Sequence, residues 1–288
     1  MFKTALTHLR GRSSDSATLM SALRLIGPNS GHLECVHVRP TFTELIRYAP
    51  STGPEDNSSA ILDVLGTLRI EASAAAKRAS DAFAAFCSRE GVLTAGSSRV
   101  EKTTAAFQEL AGNEIDQLIV HVRSYDLVVV KGGGEEAGGV TSEEVGRLLM
   151  YAGRPVVLAP NALAPEARTI AIAWKDAPEA ARAVAAALPV IEKAAKVLAF
   201  HVSEEDEPRS TCESVVSYLR GHHVGVSVHH VEPRGRNAAD SLLEATRAAE
   251  VDLLVMGAYG RNRLSELVFG GFTQRVLEDA SLSVFLLH

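Results

Sequence analysis

Three glycines near the C-terminal end stand at spacings that suit contact with an anionic ligand. They are Gly257, Gly260 and Gly270, in the stretch GAYGRNRLSELVFGGFT from Gly257 to Thr273. A residue without a Cβ lets a ligand approach the main chain, and free backbone N–H groups at a helix start attract phosphate. Gly270 and Gly271 precede Thr273 and a helical pattern running to Ala280, so their N–H groups are candidates for such a contact. Arg261 and Arg263 add positive charge between the glycines, and Met256 ends the apolar run just before the first of them. The chemistry that suits this set is non-covalent binding of a phosphorylated ligand. An isolated GxxG is more often turn punctuation, so the elements around it must decide.

Those elements come from an internal repeat. Thr4–Arg10 (TALTHLR) aligns with Thr169–Lys175 (TIAIAWK), and Cys35–Val38 with Ala199–Val202. Asp126–Val130 aligns with Asp252–Met256, and Arg154–Leu158 with Leu282–Leu286. The order is kept, which marks two copies of one unit, here 1–160 and 161–288, with the stiff linker PNALAP between them. Extra residues of the first copy are assigned to 41–69, whose start, TFTELIRYAPSTGPEDNSS, carries several turn signals.

In the second copy, apolar runs at Thr169–Trp174, Lys196–Val202, Val224–Val231, Asp252–Met256 and Ser283–Leu287 read as strands. Helical patterns lie between them at Glu179–Leu188, Thr211–Leu219, Ala238–Ala249 and Ser265–Ala280. The runs are continuously apolar, as strands covered on both faces are. This alternation predicts an α/β chain with two tandem open parallel five-stranded sheets flanked by helices. Ligands of such sheets sit beyond the carboxyl ends of the strands, at the switch in strand order, and Gly257 falls at such an end. The last strands, Pro155–Leu158 and Ser283–Leu287, are expected to pair antiparallel and so cover each other's edges.

Composition narrows the classes. The chain has 288 residues, 46% of them hydrophobic, with a net charge of −6, which suits a buried core and disfavours nucleic acid or an anionic membrane as partner. No apolar run reaches the ~20 residues needed to span a bilayer, and MFKTALTHLRGR lacks the pattern of a secretory signal. The three cysteines have no CxxC spacing, which fits a reducing compartment; a cytoplasmic location is expected. No Walker A, GxSxG, HExxH or leading GxGxxG motif is present, so P-loop, hydrolase, zincin and dehydrogenase chemistry are poor fits.

The frame Gly257-x2-Gly260-x9-Gly270, after the fourth strand of a five-stranded unit, resembles the universal stress protein family, and the repeat resembles its tandem members. The resemblance implies a Rossmann- or flavodoxin-like fold and a stress-response binding protein. It also implies ATP or a related adenine nucleotide in the second unit, with or without Mg²⁺. Gly257, Gly260 and Gly270 fall on the family's motif glycines, Met256 on the residue before the first, and Val202 on the position whose main chain meets adenine. Gly271 stands where the family has a phosphate-touching Ser or Thr, with Phe272 next and Thr273 as the substitute hydroxyl. Lys175 replaces an acidic residue; it accepts no hydrogen bond but can pair with phosphate, as can Arg261. The expected partners are the nucleotide, undefined proteins, and the chain's own other half as a pseudo-dimer or a second copy as a homodimer.

The first copy reads differently. Lys131–Val140 is KGGGEEAGGV, which admits no GxxG-x9-G frame, and Glu135 and Glu136 bring negative charge. Arg10 stands where Lys175 does. This half is read as a degenerate copy serving packing, regulation or another ligand. His37 and His201 hold matched places at the mouths of the two pockets, and Trp174 is a candidate pocket wall. His222, His223, His229 and His230 lack ligand spacing for a metal, and no catalytic residue is assigned. The rivals to nucleotide binding are a slow ATPase or phosphotransferase using Lys175, Arg261 and Arg263, and a binder of a non-nucleotide ligand such as a lipid or sugar nucleotide.

Overall fold

The structure, a computed structural model, describes residues 1–27, 31–48, 58–94, 102–135, 137–160, 168–202, 212–233, 235, 237–258, 271–279 and 281–288. The first half runs β1 (Thr4–His8), α1 (Asp15–Ile26), β2 (His32–Arg39), α2 (Phe42–Tyr48), α3 (Ser58–Glu90) and β3 (Leu93–Thr94). It continues with β4 (Thr104–Ala111), α4 (Glu114–His121), β5 (Leu127–Lys131), α5 (Ser142–Tyr151) and β6 (Val156–Ala159). The second half runs β7 (Thr169–Ala173), α6 (Pro178–Ile191), β8 (Lys196–Val202), α7 (Glu213–Gly221) and β9 (Ser227–Val231). It ends with α8 (Ala238–Ala248), β10 (Leu253–Gly257), α9 (Gly271–Leu277) and β11 (Ser283–Leu287).

Among the described residues the strands form one sheet in the order β3-β4-β2-β1-β5-β6-β11-β10-β7-β8-β9. Every neighbouring pair is parallel except β6 and β11, which run antiparallel with Phe285 opposite Val157. The two expected sheets are therefore halves of a single one, joined through the pair of last strands anticipated from their exposed edges. Phe2 and Phe285 stack with centroids 6.0 Å apart, and both belong to an apolar cluster that also holds Val157 and Ile170. A second cluster, around Leu6, Leu118, Leu148 and Leu254, again draws on both halves. The central strands are largely buried, β5 and β6 at every position, because helices cover both faces.

The repeat is visible in matched polar contacts. The Asp126 carboxylate accepts from the N–H groups of Lys3 and Thr4 at 2.8 and 2.9 Å. Asp252 accepts from those of Arg168 and Thr169 at 2.9 and 2.8 Å. Each Asp fastens the start of its half's first strand to the strand beside it. Asn113 and Asn237 likewise cap α4 and α8 through their side-chain oxygens.

In each half the first strand lies between the second and fourth of the common set, β1 between β2 and β5, and β7 between β8 and β10. The connections turn opposite ways from β1 and β7, and a crevice opens at their carboxyl ends.

Three expectations need correction. The start of 41–69, expected to be loop-like, holds α2 at Phe42–Tyr48, residues 49–57 lie outside the described residues, and residues 58–69 begin α3, which is 33 residues long. From Ser58 onward the sequence is rich in Ala, Leu, Arg and Glu and has no proline, which favours continued helix over a turn. The run Val224–Val231 contributes a strand only from Ser227, and Ser227 to His230 are exposed; polar Ser and His alternate with Val there, so no helix has an apolar face to cover. The pattern Ser265–Ala280 yields α9 over Gly271–Leu277, while 259–270 lies outside the described residues.

Candidate functional site

A cavity of about 240 Å³ sits at the strand ends of the second half. Ala173, Trp174 and Lys175 line it from the end of β7, and Phe200, His201 and Val202 from the end of β8. Met256 and Gly257 close it from β10, Glu179 and Ala180 from α6, and Phe272 and Thr273 from α9. The switch in strand order thus gathers Lys175, Val202, Met256, Gly257, Phe272 and Thr273 of the residues singled out in the sequence. Gly271 begins α9 and does not line the cavity. Gly260, Arg261 and Gly270 lie outside the described residues.

Gly257 needs a different explanation from ligand approach. A Cβ built there would lie 2.5 Å from the Ala180 nitrogen and 2.6 Å from the Glu179 carbonyl carbon. The first turn of α6 rests on β10 at this point, so the glycine admits a helix rather than a ligand. Trp174 is held by its backbone N–H, which donates to the Phe200 carbonyl at 2.8 Å. Its side chain is 6% exposed and His201 is 5% exposed, yet Trp174 Nε1 and His201 Nδ1 have no hydrogen-bond partner. A buried donor left so costs about 1–3 kcal/mol.

The matching crevice of the first half is larger, about 830 Å³, and is built on opposite principles. Arg10, at the place of Lys175, donates from Nη1 to the carbonyls of Gly138 and Gly139 at 3.1 and 2.7 Å. Its Nε donates to Glu114 Oε1 at 2.9 Å, and its Nη2 contacts the same carboxylate. The N–H groups of Gly138, Gly139 and Val140 are spent on the loop's own carbonyls, at Glu135, Gly134 and Lys131. The glycine loop therefore turns oxygens towards a resident guanidinium, where a phosphate cradle would turn N–H groups towards an anion. Lys131 occupies the place of Gly257; it is buried and donates to the Gly132 carbonyl.

Burial dominates the electrostatics there. It pushes His8 down to about 4, with Arg10 and His37 adding to the shift and Glu114, whose Oε1 is 3.3 Å from His8 Nδ1, opposing it. Burial alone would raise Glu114, but His8 and Arg10 outweigh it and hold the carboxyl below its usual range. Asp15 is raised by burial, although it accepts from the backbone N–H groups of Arg10, Gly11 and Arg12. Helix α3 completes this half: Gly11, at φ +69°, has no room for a Cβ because the Ala75 carbonyl oxygen of α3 would be 2.2 Å away. Arg78 of α3 donates to the Gly11 carbonyl at 2.8 Å.

Residues 166–288 match the universal stress protein family. This part of the chain is a universal stress protein domain. Comparison with curated protein sequences gives no match. Among solved structures, a universal stress protein from Archaeoglobus fulgidus DSM 4304 is similar over 99% of this chain and 95% of its own, at 15% identity and a TM-score of 0.67. A putative universal stress protein from Pseudomonas aeruginosa UCBPP-PA14 covers 99% of this chain and 93% of its own, at 14% identity and a TM-score of 0.53. At such identities the likeness shows the fold alone. It extends that fold over both halves, and the α/β architecture is that of the family.

Within the universal stress protein domain, sequence reasoning missed Ala173, Phe200, Glu179 and Ala180 as cavity walls. Their positions at the ends of β7 and β8 and in the first turn of α6 were the available signal. His37 and His201, expected as equivalents, behave differently. His37 Nδ1 donates to the Leu9 carbonyl at 2.8 Å, whereas His201 Nδ1 has no partner and lies beside Trp174, the counterpart of Leu9. His229 packs on Phe200 and His230 edge-on to His201, so these two serve as ring contacts. Among the described residues, no group of three His, Cys, Asp or Glu side chains is gathered to hold a metal. No helix among them is long and apolar enough to cross a membrane. The cavity of the universal stress protein domain combines apolar side chains with Trp174, His201, Lys175, Glu179 and Thr273.

Proposed function

We propose that the chain is a stress-response binding protein whose second unit, 161–288, holds an adenine nucleotide, ATP first, in the cavity between β7 and β10. The observation that supports this most is the pair of buried, unpartnered ring nitrogens, Trp174 Nε1 and His201 Nδ1, in two aromatic side chains of the cavity wall at the switch point. Such a wall suits a purine, whose faces are apolar and whose ring nitrogens accept hydrogen bonds. Lys175 and Thr273 are the described polar groups at hand for ribose or phosphate, with Arg261 as a further cation from the sequence. Mg²⁺ would enter as the counter-ion of the phosphates. The family of residues 166–288 supports the stress-response role. We take the first unit, 1–160, as the partner half of a pseudo-dimer joined through β6 and β11, its own crevice holding the paired Arg10.

Isothermal titration of ATP into the full-length protein, with phosphate release followed in the same sample, tests this reading. Saturable binding without turnover is expected. Turnover at a rate that scales with bound ATP would favour the ATPase alternative, and absence of any binding heat would reject the nucleotide.

A further inference from the structure

Four buried side-chain atoms among the described residues lack a hydrogen-bond partner: His8 Nε2, Arg24 Nη1, Trp174 Nε1 and His201 Nδ1. Two of the four belong to side chains lining the small cavity of the second half. Native interiors pair nearly all such atoms, so an unpaired one asks for a cause. Trp174 is the sharper case because an indole N–H is a donor only and has no alternative tautomer. Its matched residue in the first half, Leu9, is fully buried and apolar, so the fold does not require a polar ring at this place. Both residues make the same strand contact, Leu9 N–H to Val36 O at 2.9 Å and Trp174 N–H to Phe200 O at 2.8 Å. What distinguishes Trp174 is a buried donor without a partner, carried by a residue that lines the cavity.

We infer that Trp174 is the residue that positions the ligand ring, its Nε1–H donating to an acceptor nitrogen of the base, with His201 beside it as a second polar contact. Lys175, next in the chain and also a wall of the cavity, is another donor with no acceptor capacity. The ligand edge facing the end of β7 is therefore an acceptor edge. This rests on the nucleotide reading above and sharpens it to one atom-to-atom contact.

The test uses the full-length protein and its Trp174→Phe variant, which keeps an apolar ring and removes the donor. Trp174 is the sole tryptophan of the chain, so its emission reports directly on the cavity. Titrations of ATP and of its 1-deaza, 3-deaza and 7-deaza analogues, each lacking one ring acceptor, are compared on both proteins. Wild type is expected to show an emission change with ATP and to bind one deaza analogue about fivefold to tenfold more weakly, the effect of one hydrogen bond. The variant is expected to bind ATP more weakly by the same factor and not to distinguish that analogue from ATP. Equal ATP affinity in the two proteins, or an equal loss for all four ligands, would overturn the inference while leaving nucleotide binding in place. If no nucleotide produces heat or an emission change, the nucleotide reading fails, and thermal unfolding of the unliganded proteins then decides the role of Trp174. A variant as stable as wild type keeps it as a ligand contact for another acceptor-bearing ring, and a variant that unfolds far earlier makes it a packing residue.

Discussion

The two halves place a crevice at the same point of the same topology and fill it in opposite ways. In the first, the side chain after β1 is Arg10, and the protein supplies its own cation, with Glu114 and two glycine-loop carbonyls as partners. In the second, the residue after Trp174 is Lys175, Glu179 also lines the cavity, and the buried ring nitrogens of Trp174 and His201 lack a partner, as His8 Nε2 does in the first. A strand-end crevice thus offers a site without determining its use. The side chains at a few matched positions, Leu9 against Trp174 and Lys131 against Gly257, make the two crevices chemically different. The long α3 adds to the difference by resting on the β1–α1 turn at Gly11.

Substitutions at matched positions can break or sharpen this contrast. The largest effect is expected for Gly257→Val, whose Cβ would meet backbone atoms of α6 at 2.5 and 2.6 Å. Backbone cannot give way as a side chain can, so a loss of more than about 3 kcal/mol is expected in urea unfolding. Lys131→Val at the matched place forfeits one buried hydrogen bond and should cost about 1 kcal/mol. A Gly257→Val protein with the wild-type midpoint would mean that α6 does not set this position.

A pH effect of about 3 kcal/mol comes next, confined to the first crevice. His8 is buried, its folded value of about 4 lying below the ordinary histidine value of 6.5. The unfolded chain therefore binds a proton that the folded one refuses, and stability falls as pH drops from about 6.5 to about 4. Replacing His8 by Asn should flatten that limb when urea midpoints at neutral and acid pH are compared; an unchanged slope would assign the acid sensitivity elsewhere. The matched residue of the second half, Ala173, carries no such group.

Arg10→Ala should cost about 2 kcal/mol, because it leaves Glu114 and the two loop carbonyls without their donor; the pair is only partly exposed, at 19% and 28%. Lys175→Ala, at an exposed position, should stay within about 0.5 kcal/mol. Equal losses for the two would erase the distinction between a structural and a ligand-facing cation.

Much of the fold was legible because strand sequences in the centre of such a sheet are short and continuously apolar. β8 and β11 begin and end where the sequence indicates, and Asp126 and Asp252 were visible as anchors of the repeat. That each Asp clamps a neighbouring strand start needs the pairing register, which no local pattern contains. The cavity walls were partly legible, since Lys175, Val202 and Met256 follow from the strand ends. The reason for Gly257 was not, because a glycine in a sequence does not reveal which neighbour takes the space of its Cβ. Arg10 was seen as an odd residue at a matched place, but the turning of the glycine-loop carbonyls towards it depends on φ > 0 at Gly133, Gly134 and Gly138. The length of α3 was hidden by the turn-rich stretch before it.

The central claim, that nucleotide binds at the second crevice and not at the first, is tested most directly by the stoichiometry of ATP binding to the full-length protein. Calorimetric titration of wild type, Lys175→Glu and Arg12→Ala is the measurement, Arg12 being a wall of the first crevice. One ATP per chain is expected, bound about tenfold more weakly by Lys175→Glu through charge reversal beside the ligand and unchanged by Arg12→Ala. Two ATP per chain, or a single site weakened by Arg12→Ala and indifferent to Lys175→Glu, would contradict it.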